Sequence, residues 1–113
     1  MHVAPKILEL ILTFVTLAKV IESEASPSLC PEVAQVAIAH VYQRNKRMVK
    51  SKPPTRKSLR VAIDWQKFDD ASNGANFVFS AEDKQIKAVQ RLILGRRLTR
   101  IIQCDHTKLF FYR

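Results

Sequence analysis

Past residue 25, proton transfer would draw on His40, His106, Glu32, Glu82, Asp64, Asp69 or Asp70. General acid–base catalysis needs two such groups within hydrogen-bond reach of one reacting atom. His40 lies beside the apolar stripe of a predicted helix and reads as a packing residue. His106 follows Cys104 by two residues and reads as a loop histidine. Glu32 suits a helix start, Glu82 a turn or cap, Asp64 the outer face of a strand, and Asp69-Asp70 a turn. No two of them form an acid and base pair by spacing, so no enzyme is expected. Metal and cofactor chemistry find no purchase either: there is no paired-cysteine or HExxH spacing, and two glycines do not make a phosphate loop. No metal and no cofactor are expected.

Two residue classes remain. Cys30 and Cys104 are the only cysteines. An even count in a small secreted domain reads as one disulfide, which would close a long loop and contribute about 4 kcal/mol in the chain-entropy model. The cations are many: 19 Lys and Arg against 10 Asp and Glu, a formal charge of +9. Arg44, Lys46, Arg47, Lys50, Lys52, Arg56, Lys57 and Arg60 put eight cations into seventeen residues with no acidic neighbour. They are the candidate nucleic-acid-binding residues, set against the plainer reading of a solvated basic surface. Arg91, Arg96, Arg97 and Arg100 form a second group. Lys46-Arg47 and Arg96-Arg97 also have the form of dibasic processing sites, but a helix and a sheet are poor places to cut.

The elements that would position these groups follow from periodicity and punctuation. Cys30-Pro31-Glu32 opens a helix, with Ala34, Ala37, Ile38, Val41 and Met48 as its apolar stripe, running to about Val49. Lys50–Lys57 contains Pro53-Pro54, which cannot continue a helix, and reads as a basic surface loop. Leu59–Gln66 alternates apolar and polar residues and predicts a strand with Leu59, Val61, Ile63 and Trp65 on one face. Asp69–Ala75 has turn composition, including Asn73-Gly74. Phe77-Val78-Phe79 predicts a strand, Leu98–Gln103 another, and the apolar tail after Cys104 a last one. Ile86–Leu94 fits two readings. As an apolar-rich strand it completes a hairpin, yet Ser80 with Asp83 resembles a capping box, Ile86, Val89 and Ile93 have helical spacing, and Gly95 can end a helix.

The first 25 residues stand apart. Ile7–Ala18 is an apolar run of signal-peptide length, too short to span a bilayer, and Ser23 and Ala25 place small residues at −3 and −1 of a cut. A cut after Ala18 is the second possibility. Glu9 within the run speaks for the other reading, an amphipathic core helix with Leu8, Ile11, Leu12 and Val15 as its stripe. The expectation is a signal peptide over 1–25 and one domain over 26–113. Its removal takes away two lysines and three glutamates and leaves 17 cationic against seven acidic residues. Such a balance favours an anionic partner.

A signal, a cysteine soon after it, a helix, an antiparallel sheet and a closing C-terminal cysteine resemble the small secreted effectors of powdery mildew fungi with a ribonuclease-like fold. Gly74-Ala75-Asn76-Phe77-Val78-Phe79 and Ile86-Lys87-Ala88-Val89 stand where that family has its strand–turn–strand. The resemblance implies a terminus-joining Cys30–Cys104 disulfide, strand for Ile86–Leu94, and a ribonuclease scaffold without its catalytic set. The resulting expectation is an α+β domain, one helix packed on a small antiparallel sheet, ribonuclease-like and closed by one disulfide. Its function would be that of a secreted, monomeric, non-catalytic effector binding a host protein, such as an immune receptor, or host RNA, with translocation into the host cell. The alternatives are a basic RNA-binding protein or ribonuclease, and an extracellular inhibitor or signalling module. No membrane partner is expected once the signal is removed.

Overall fold

The computed structural model describes residues 4–82 and 95–113. It is an α+β structure whose described residues form three helices, α1 (Pro5–Glu24), α2 (Glu32–Arg44) and α3 (Arg56–Asp64). A single 3-10 turn, Trp65–Lys67, follows α3. The strands β1 (Phe77–Glu82), β2 (Leu98–Cys104) and β3 (Thr107–Tyr112) form an antiparallel sheet in the order β1-β3-β2. The expectation of a single helix is therefore corrected: the described residues alone contain three. Ile86–Leu94, with its two readings, lies outside the described residues.

The core is organised around α2. Ala34, Ala37, Ile38 and Val41 are buried as the stripe requires, but Gln35, Val36, Ala39 and Tyr42 are buried as well. A helix covered on nearly every side cannot be read from a one-sided stripe. Pro31 caps its start, ahead of Glu32 in the first turn. The helix ends at Arg44, short of the predicted Val49. Asn45 turns extended, and its side-chain oxygen accepts from the Arg47 amide at 3.1 Å, a local bond that competes with another helical turn. Met48 still reaches the core, from the loop.

The largest correction concerns Leu59–Gln66, which is helix and 3-10 turn rather than strand. Thr55 and Ser58 explain it. The Ser58 hydroxyl accepts from the Thr55 amide at 2.9 Å and the Thr55 hydroxyl from the Ser58 amide at 3.4 Å, a reciprocal cap directly behind Pro53-Pro54. The buried side chains are Ser58, Val61 and Ala62, spaced three and four apart, while Ile63 is more than half exposed. Alternation in Leu59, Val61, Ile63 and Trp65 is thus incidental to a helical stripe.

Helix α1 packs on α3 and α2 through its C-terminal half. Leu17, Ala18, Val20, Ile21 and Ala25 lie in the core, whereas Ile7, Leu8, Leu10, Ile11 and Leu12 are about half exposed. Of the stripe expected for a core helix, Leu8, Ile11 and Leu12 are exposed and Val15 is half-buried; the same side of the helix reaches the core only further on, at Ala18, Glu22 and Ala25. No described helix is long and apolar enough to cross a membrane.

The sheet has the expected alternation. Ile102, Cys104, Leu109 and Phe111 join the main core, while Ala81, Phe110 and Tyr112 pack with Phe77 and Phe79 on the other face. Strands β2 and β3 form a hairpin over Asp105-His106, with Cys104 opposite Thr107 and Asp105 at φ 47°, a left-handed conformation that Asp tolerates. Cys104 is disulfide-bonded to Cys30, which ties the end of β2 to the segment that leads into α2.

Candidate nucleic-acid interface

The eight cations from Arg44 to Arg60 do not share one environment. Arg44 closes α2 and reaches across to the 69–75 turn. Its guanidinium pairs with Asp70 and donates to the Ala75 carbonyl at 2.8 Å and the Ser72 hydroxyl at 3.3 Å. Asp70 in turn accepts from the Ser72 amide at 2.9 Å, the Ser72 hydroxyl at 2.6 Å and the Gly74 amide at 3.0 Å. Burial pushes the Asp70 carboxyl up, but these donors together with Arg44 outweigh it and hold the group down at about 2. Asn73 and Gly74 both have positive φ, which bends the backbone so that its amides converge on the carboxylate. Arg44 is therefore a structural residue.

The other seven are exposed: Lys46, Arg47, Lys50, Lys52, Arg56, Lys57 and Arg60. None of them forms an ion pair among the described residues. Lys46 and Lys50 flank the Tyr42 ring, with their ammonium nitrogens 4.5 and 5.9 Å from its centroid, and Lys46 also donates to Gln43 at 2.9 Å. The amides of Ser51 and Lys52 both donate to the Ser23 hydroxyl, at 3.0 and 3.1 Å. Thr55 donates its hydroxyl to the buried Glu22 carboxylate. The basic loop is thus pinned to α2 at one end and to α1 and α3 at the other, and its cations project from a fixed backbone.

Arg56, Lys57 and Arg60 continue the series along the exposed side of α3. Lys57 and Arg60 border a cleft of about 200 Å³ whose other walls are Glu32, Gln35 and Val61. Gln35 is 6% exposed, and its side-chain oxygen has no hydrogen-bond partner among the described residues. Such an orphan costs about 1–3 kcal/mol. Sequence reading passed over Gln35, because a glutamine on a helix is assigned to the wet face. The signal available was the lack of one: α2 has little wet face to give.

Two of the second basic group are engaged: Arg96 stacks on Phe77 at 4.6 Å, and Arg100 donates to the Ala71 carbonyl at 3.0 Å. Arg97 is exposed and exchanges only backbone hydrogen bonds with Arg113. Arg91 lies outside the described residues. Of the histidines, His40 bonds the Phe68 carbonyl at 3.0 Å and meets Trp65 edge-on at 5.2 Å. His106 lies 3.7 Å from Asp105 on the exposed hairpin turn. Among the described residues no group of three His, Cys, Asp or Glu could hold a metal ion. Compared with known proteins, the chain matches no family model, no curated protein and no solved structure.

Proposed function

We propose that this chain is a secreted, non-catalytic protein of effector type that binds RNA through the exposed cations Lys46, Arg47, Lys50, Lys52, Arg56, Lys57 and Arg60. Its leader would be residues 1–25 and its binding domain, ribonuclease-like in architecture, residues 26–113. The observation that carries the binding proposal is that seven exposed cations, all beyond residue 25, have no carboxylate partner among the described residues. Phosphate contacts of that kind supply sequence-independent affinity of roughly micromolar to hundred-micromolar at physiological salt. The effector part rests on the resemblance of the sequence, the leader on the small residues ahead of Ser26, and the oxidising compartment on the disulfide.

The test is a titration of labelled single-stranded RNA at two salt concentrations, with a variant carrying Lys50, Lys52, Arg56 and Lys57 as glutamines. Wild type should bind, weaken steeply as salt rises, and exceed the variant. Equal binding by the variant, or affinity indifferent to salt, removes the interface. Intact mass of secreted material tests the leader: the expected product starts at Ser26 with both cysteines oxidised.

A further inference from the structure

The cleft between the first turn of α2 and the exposed side of α3 presents two kinds of recognition group. Lys57 and Arg60, one helical turn apart, offer positive charge from one wall. Beside them lies Gln35, nine-tenths buried, with an enclosed carbonyl oxygen that no group among the described residues satisfies. Glu32 supplies a carboxylate on the α2 side. A bare anion would suit the cations alone and would be repelled by Glu32. What suits the whole set is a group with an anionic oxygen at one end and a hydroxyl donor a few ångströms away.

A ribonucleotide unit has that form. We propose that this cleft is a ribose-phosphate subsite, in which Lys57 and Arg60 hold a backbone phosphate and Gln35 accepts from the 2′-hydroxyl. The inference rests on the RNA-binding reading above and adds to it a preference for RNA over DNA. The phosphate lies towards α3, away from Glu32, whose carboxylate faces the sugar edge. The Gln35 oxygen is enclosed as it stands, so rotation about the terminal bond, a broad and soft torsion, is required to turn it to the cleft. The 2′-hydroxyl is the group by which proteins distinguish RNA from DNA at a single site. One neutral hydrogen bond of this kind amounts to roughly a threefold to tenfold difference in affinity.

The experiment uses the full chain with its disulfide intact and compares three labelled single strands of one base sequence: RNA, 2′-O-methyl RNA and DNA with deoxyuridine in place of uridine. RNA should bind threefold to tenfold tighter than either analogue, since both lack the donor hydroxyl. Gln35→Leu should erase that preference by weakening RNA alone. Lys57→Gln with Arg60→Gln should weaken all three ligands and lower the salt slope by about 2. If wild type binds all three alike but with steep salt dependence, the subsite falls and the basic interface stands. If none binds, the RNA reading falls and the subsite with it. Should Gln35→Leu fail to fold, the wild-type comparison of RNA with 2′-O-methyl RNA still decides: equal affinity overturns the proposal.

Discussion

Arg44 and Lys46 are two residues apart, both exposed in part, and of like charge, yet they belong to different regions of the molecule. Arg44 faces a turn contributed by residues 26 to 31 positions further along, which offers it a carboxylate, a carbonyl and a hydroxyl. Lys46 sits past the end of α2, where Gln43 and the face of Tyr42 meet it but no carboxylate among the described residues does. The same contrast separates Arg100, bonded to the Ala71 carbonyl, from Arg60, open beside the α2–α3 cleft. A cation becomes structural when the fold delivers acceptors to it, and those acceptors come from distant sequence. Charge density along the chain does not report which cations are left for a partner.

The comparison can be broken at several points. Cys104→Ser should have the largest effect, since it releases the clamp between the β2 end and the approach to α2. The loss of stability should be about 4 kcal/mol, and both regions should disorder together, as read by denaturant unfolding with and without reductant. Had the two regions folded independently, RNA binding by the basic loop would survive. Next is Arg44→Met, which strips donors from Asp70 and from the Ala75 carbonyl. It should cost roughly 1–3 kcal/mol while leaving the RNA affinity of the folded protein nearly unchanged.

Acid titration probes the same cluster without mutation. Asp70 has its folded carboxyl lowered from 3.8 to about 2, so its stabilising contribution is complete above pH 3.8 and is lost as pH falls towards 2. Asp70→Asn should flatten the acid limb of the stability curve over that interval.

The exposed region should behave in the opposite way. Changing Lys50, Lys52, Arg56 and Lys57 to glutamine should shift the unfolding free energy by no more than about 0.5 kcal/mol. It should weaken RNA binding on the order of tenfold or more at low salt. The smallest effect is expected at Lys46→Met, which removes an ammonium from the Tyr42 face and should cost about 0.5 kcal/mol of stability.

Some of this was legible from residue order. Phe77-Val78-Phe79, Leu98–Gln103 and the apolar tail announce strands, because each is short, β-branched or aromatic, and bounded by turn residues. The turn at Asn73-Gly74 and the pairing of the two cysteines were equally readable. Helix α3 was not, since nine residues supply too few periods to separate a repeat of two from one of 3.6. The deciding residues, Thr55 and Ser58, lie at its first turn and act through hydroxyls rather than through the carboxylate or amide of the familiar cap. At the candidate site the cations were visible, while the division between bound and free ones depended on the 69–75 turn. Gln35 stayed hidden for a related reason, because its burial comes from neighbours that a single helix does not display.

The place of Ala25 has a consequence for timing. Its side chain is fully buried, and its amide closes the last turn of α1 by donating to the Ile21 carbonyl at 2.8 Å. A peptidase needs an extended, reachable strand of backbone, and here the bond after Ala25 is sealed once α1 has docked. If residues 1–25 are the leader proposed above, their removal and closure of the core would be rival events on one chain: whichever came first would foreclose the other. A leader cut early would leave α2 and α3 to assemble without Leu17, Val20 and Ile21, whereas a chain that folded early would keep them.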